Sequence, residues 1–150
     1  LLRRANELKS DYVPSRFLLA QVEATTGNIR EAITESQNAL FLSPDDIGIL
    51  FQLGLLFYQD GQIANSQIVL ERAVEINSSY SNARYFLGLI YDRKGDKPRA
   101  LGEFGKIAEL NPGNNEVKRI IGNLNAGRPA LEGIAPPPPE ERTGPPVNPL

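Results

Sequence analysis

The chain of 150 residues contains no cysteine and no histidine. Without cysteine it forms no disulfide and offers no thiolate, and it fits an oxidising or a reducing compartment equally. Without histidine the commonest general base is missing, and with both absent the usual zinc sites are excluded. Excess charge is also lacking: 16 Lys and Arg stand against 18 Asp and Glu, a net charge of −2. That balance leaves no electrostatic footprint for nucleic acid. No apolar run approaches the roughly 18–20 residues that cross a bilayer, and no signal peptide is visible, so this segment is expected to make no membrane contact.

The residues that remain give catalysis little support. Asp45-Asp46 is the obvious acidic pair, but it follows Pro44 and precedes a predicted helix. Acidic residues there cap the helix and favour the positive end of its dipole. Gly102, Gly105 and Lys106 lie inside another predicted helix and lack the spacing of a phosphate loop. The sequence therefore predicts no catalytic residues, no cofactor and no metal.

What is present is a repeat. Val13–Asp46, Ile47–Tyr80 and Ser81–Asn114 align at a spacing of 34 residues. Leu19, Leu53 and Leu87 coincide, followed by the small residues Ala20, Gly54 and Gly88. Gly27, Gly61 and Gly95 share a column, as do Ala32, Ser66 and Ala100, then Ala39, Ala73 and Ile107. Leu42, Ile76 and Leu110 share another, and Pro44 and Pro112 the last, with Ser78 between them. A period in this range signifies a stack of similar supersecondary units rather than a closed globule.

Each unit reads as helix, tight turn, helix, stop. In the second, Leu50, Leu53, Gly54 and Phe57 fall at helical spacing, and Asp60-Gly61 ends the stripe. Ile63, Ser66, Leu70, Ala73 and Ile76 form the next stripe. The third unit repeats the pattern around Lys94-Gly95-Asp96, with Asp96 as N-cap and Pro98 in the first turn. Pro44 and Pro112 close the second helices. Mid-helix Gly costs roughly 1 kcal/mol against Ala, so Gly54 and Gly88 imply closely approaching helix axes, with Ala32, Ser66 and Ala100 as the opposing small residues.

Leu87-Gly88, Tyr91, Gly95, Ala100, Phe104 and Pro112 resemble the tetratricopeptide-repeat pattern of Leu-Gly, aromatic, Gly, Ala, aromatic and Pro. The second unit keeps Leu53-Gly54, Phe57, Gly61 and Ala73. The first departs most, with Glu23 and Ser36 in the two aromatic columns. The resemblance covers about residues 13–114 and implies an all-α, right-handed α-solenoid of antiparallel helix hairpins. One period earlier, Leu2, Ala5 and Leu8 fall in second-helix columns. Residues 1–12 are thus expected to be the second helix of an upstream repeat, in a fragment of a longer protein.

Repeats are then expected at 13–46, 47–80 and 81–114, followed by a capping helix at 115–127. A more polar cap is what a stack of repeats needs at its end. Eight of the twelve prolines lie between Arg128 and Leu150, including Pro136–Pro139. A disordered Pro-rich tail is expected over 128–150, since such composition buries no core. Leu131–Ile134 are placed to fold back on the last helix. Arg142 is badly spaced from Pro136 and Pro139 for proline–arginine docking, so a linker or free tail is favoured over a docking peptide.

In this family the first helices usually line a concave groove that takes a peptide or partner helix. The resemblance places there Phe17, Gln21 and Ala24, then Gly48, Phe51, Gln52, Leu55 and Tyr58, then Asn82, Tyr85, Leu89 and Asp92. Exposed aromatic patches of this kind mark interaction sites, although Leu55 and Leu89 also suit inter-repeat core. Some members clamp a peptide's terminal carboxylate with cations. Here the corresponding columns hold Phe17, Gln21, Gln52, Asn82 and Phe86, so no such clamp is expected. Three roles follow: a scaffold binding a protein or peptide, an accessory domain of a larger enzyme, and a self-stacking module. Many similar bacterial proteins carry such a repeat region after a membrane-embedded glycan polymerase or ligase.

Overall fold

The computed structural model describes residues 13–134, with side chains from Arg16 onward. The expected half-repeat helix in 1–12 and residues 135–150 lie outside the described residues. Seven helices and no strand occur among those described. They are α1 (Val13–Thr25), α2 (Ile29–Leu42), α3 (Ile47–Gln59), α4 (Ile63–Ile76), α5 (Ser81–Arg93), α6 (Lys97–Leu110) and α7 (Asn115–Asn125). The first helices start 34 residues apart, and so do the second helices. The fold class is the expected all-α solenoid type, built of helix hairpins. No helix among the described residues is long and apolar enough to cross a membrane.

The turns recur with the period. Gly61 has φ +78°, a left-handed conformation that a side chain opposes. It lets the Gln62 N–H reach Phe57 O (2.8 Å) and the Gly61 N–H reach Tyr58 O (3.2 Å). This 6→1 and 5→2 pairing satisfies carbonyls left open at the end of α3. Gly27 and Gly95 close α1 and α5 in the same way. At the starts, Asp46 accepts from the Ile49 N–H (3.0 Å), Asp96 from Arg99 (3.1 Å) and Asn114 from Val117 (3.0 Å). Of the acidic pair only Asp46 caps. Asp45 pairs with Arg72 at 2.7 Å on the surface, where such pairs contribute little.

By contacts the chain divides into two compact units, one ending at Ile76 and the other beginning at Asn77. In the first, hairpins α1/α2 and α3/α4 join through α2 against α3. Ala32, Ile33, Leu53, Leu56 and Phe57 form its core, flanked by half-buried Ala24, Ile29, Leu40 and Val69. In the second, α6 packs on both α5 and α7. Phe104, Leu87, Ile90, Val117 and Ile120 are its largest fully buried apolar residues.

At Gly54 and Gly88 the small columns mark close approach, and a large side chain of the second helix fills the space. A Cβ on Gly54 would lie 2.5 Å from Leu70 Cδ2, and one on Gly88 2.5 Å from Phe104 Cε2. The Ser66 hydroxyl meanwhile donates to Gly54 O at 2.7 Å, which confirms Ser66 as an opposing residue. Leu70 and Phe104 share a column with Ser36, whose partner position holds Ala20. Two hairpins therefore pair a Gly on the first helix with a large residue on the second, Gly54 with Leu70 and Gly88 with Phe104; the first hairpin has Ala20 and Ser36 in those columns.

A second pair of columns holds a charge pair in two repeats and apolar residues in the one between them. Arg16 bonds Glu35 (3.0 Å) and Arg84 bonds Glu103 (2.7 Å), all four side chains less than a quarter exposed. The intervening repeat puts Leu50 and Val69 in those positions. The two Arg–Glu pairs tie first helix to second. Removing one partner of a sheltered pair is far costlier than replacing both by apolar residues.

One boundary differs from expectation. Arg128–Ile134, assigned to the tail, fold back as consecutive turns, as expected for Leu131–Ile134, with Ala130 only 1% exposed. The capping helix stops at Asn125, and Gly127 (φ +74°) turns the chain back. A single buried Ala and hydrogen bonds to the main chain hold the segment.

Gly88→Ala should be destabilising by about 1–3 kcal/mol despite the better helix propensity of Ala, because the buried Phe104 ring must move. Thermal unfolding of Gly88→Ala and of Gly88→Ala/Phe104→Leu checks this: the second change should recover part of the loss.

Candidate partner-binding surface

The columns expected to face a partner lie on α1, α3 and α5, and they divide by burial. In the first unit, Phe51 is 5% exposed and Leu55 8%, so both belong to the apolar floor. Phe17, Ala24, Gln52 and Tyr58 are half-buried and Gln21 is exposed. The Oε1 of Gln52 is sheltered and has no hydrogen-bond partner among the described residues. Gly48 contributes no side chain, and a Cβ there would meet only Asp46 Oδ1 at 3.2 Å.

In the second unit, Leu89 is 7% exposed and also belongs to the floor. Asn82, Tyr85 and Asp92 are half-buried. The Tyr85 hydroxyl donates to Glu116 Oε1 at 2.6 Å, and its ring meets Phe86 and Phe104 edge-on, each at 5.6 Å. Tyr85 is thus held in one orientation rather than free to sweep. Asp92 accepts from Lys97 Nζ at 2.9 Å and from the Ala130 N–H at 2.8 Å.

The expected exposed aromatic patch is therefore corrected. Phe51, Leu55 and Leu89 are buried rather than exposed. Of the expected columns, Phe17, Gln52 and Tyr58 in the first unit and Asn82 and Tyr85 in the second are half-buried, and Gln21 is exposed. Among the described residues, no group of three or more Asp and Glu is placed to hold a metal ion.

Sequence reasoning missed Glu116, Lys97 and Asn123, which hold Tyr85, Asp92 and the returning segment. One signal was available: Asn123 falls in the column of Leu55 and Leu89, yet it is 6% exposed. A buried amide in an apolar column requires partners. Asn123 finds them in Ala130 O (3.0 Å) and Glu132 O (2.9 Å).

Residues 47–80 match the tetratricopeptide-repeat family model. Over 94 residues the chain is 30% identical to human tetratricopeptide repeat protein 7A, a match covering 63% of this chain and 11% of that protein's length. A crystal structure of MamA superimposes with a TM-score of 0.79 at 20% identity, covering 95% of this chain and 78% of that one. YrrB, a tetratricopeptide-repeat protein with an unusual peptide-binding site, gives 0.75 at 24% identity, covering 87% and 70%. The first such domain of Spaghetti (RPAP3), bound to an HSP90 peptide SRMEEVD, gives 0.72 at 16%, covering 77% and 91%. At these identities the structural likeness establishes the fold.

Phe51→Ala should be destabilising by about 3–5 kcal/mol, as for other buried Phe truncations, and should lower the unfolding temperature. Tyr58→Ala, at a half-buried position, should lower it much less. Chemical denaturation of both variants measures the difference.

Proposed function

Because the chain belongs to the tetratricopeptide-repeat family, we propose that this segment is a non-catalytic scaffold that binds an apolar peptide or partner helix along its first helices. The observation that carries this reading is the layering of the first-helix columns. In the first unit Phe17 and Tyr58 are half-buried and Phe51 and Leu55 buried; in the second Tyr85 is half-buried and Leu89 buried. Aromatic side chains that are partly desolvated and orientationally fixed lose little entropy on binding and dominate interface energetics. Gln21, Gln52 and Asn82 supply polar groups. Two structurally similar proteins are described with peptide sites, which supports the class of ligand.

An acidic C-terminal tail is disfavoured. Phe17, Gln21, Gln52, Asn82 and Phe86 bring no cation to the columns where relatives of this kind hold a carboxylate. An apolar ligand is therefore favoured over the type of peptide seen bound to the RPAP3 domain.

Selection from a random peptide library displayed on phage tests this reading. Apolar, aromatic-rich sequences should emerge, and Tyr58→Ala and Tyr85→Ala should each weaken them by roughly tenfold or more, the hot-spot range, with circular dichroism unchanged. Recovery of peptides ending in acidic residues, lost on C-terminal amidation, would overturn the assignment.

A further inference from the structure

The polar side chains that hold Arg128–Ile134 contact only its main chain. Asp92 Oδ2 accepts the Ala130 N–H at 2.8 Å, Lys97 Nζ donates to Arg128 O at 2.9 Å, and Asn123 Nδ2 donates to Ala130 O and Glu132 O. Lys97 also bonds Asp92 Oδ1 at 2.9 Å, so one ion pair positions both the acceptor and a donor. The pair is more sheltered on the Asp92 side, at 14% exposure, which favours a fixed carboxylate.

The segment itself is lightly built. Of its seven residues only Ala130 is buried, Leu131 and Ile134 are half-buried, and the others are exposed. Its two turns are closed internally, Glu132 N–H to Pro129 O (3.1 Å) and Ile134 N–H to Leu131 O (3.0 Å). The Arg128–Glu132 pair is about half exposed and contributes little. Helix α7 does not need the segment beyond Arg128: Asn114 caps its start, and Gly127 and Arg128 close its end.

We propose that Asp92, Lys97 and Asn123 form a peptide main-chain receptor occupied in cis by Arg128–Ile134, which a second short peptide with a small apolar residue at its centre can displace. The chemistry of the ligand follows from the bonds. It presents a carbonyl, then two residues on an N–H and a carbonyl on one small residue, then a carbonyl two residues further. Only the central residue is selected by size, because only Ala130 is enclosed. This receptor is independent of the apolar scaffold reading and removes Asp92 from the partner-facing columns.

The test uses the full chain and a fluorescent, end-capped peptide, Arg-Pro-Ala-Leu-Glu-Gly-Ile. Ala130→Glu places a charged side chain where no room exists and empties the receptor without touching it. Fluorescence anisotropy should show the peptide binding Ala130→Glu at least roughly tenfold tighter than the unaltered chain, whose own segment competes at millimolar effective concentration. Adding Asn123→Leu, which restores the residue type of Leu55 and Leu89, should abolish that binding while helical content is kept. Two results would overturn the proposal. One is that Ala130→Glu binds the peptide no better than the unaltered chain. The other is that Ala130→Glu loses helical content, which makes the segment an integral part of the fold.

Discussion

In the second and third hairpins the first helix approaches the second until a side chain of the second lies over the backbone of the first. At Gly54 and Gly88 no Cβ fits beneath Leu70 and Phe104. That closeness fixes which residues of α3 and α5 turn inward and which face outward. It brings the Ser66 hydroxyl within 2.7 Å of Gly54 O and sets the Phe104 ring edge-on to Tyr85. Interiors are packed to crystal-like density, so a vacancy of one methyl on the first helix is matched by added volume on the second.

Around this constraint the repeats differ in how they use polarity. Two hairpins tie their helices with a sheltered Arg–Glu pair, and the one between them has Leu50 and Val69 in those columns. The first repeat also buries Glu23 where Phe57 and Tyr91 stand in the others, and Asn28 Nδ2 donates to that carboxylate at 2.7 Å. In the same repeat the Ser36 hydroxyl is fully buried with no hydrogen-bond partner among the described residues. The first hairpin is thus the least apolar of the three, consistent with its weaker match to the repeat pattern.

The repeat was legible because its columns record local physics. Left-handed Gly, Asp46 and Asp96 caps and the apolar stripes each depend on residues close in sequence. The helix starts accordingly recur at the expected spacing. Burial of Phe51, Leu55 and Leu89 was harder to read, since an apolar residue on the inner face of a first helix suits either a floor or a ligand contact. Least legible was Arg128–Ile134. Its anchors Asp92 and Asn123 lie 38 and 7 residues from Ala130, and they recognise main chain, which carries no sequence signal. The apolar residues Leu131 and Ile134 indicated a return onto the last helix, and the misplaced polarity of Asn123 in the Leu55 and Leu89 column pointed to its anchor.

If complementary size across the hairpin governs the fold, the first repeat should accept the solution of the second. Ser36→Leu alone would drive a Leu side chain onto the Ala20 Cβ, and Ala20→Gly alone would weaken α1 and leave space. The direct measurement is a double-mutant cycle at these two positions, read by chemical denaturation. Each single change should be destabilising by about 1–3 kcal/mol, with the double variant more stable than their sum by about 1 kcal/mol or more. Strict additivity of the two changes would contradict the account.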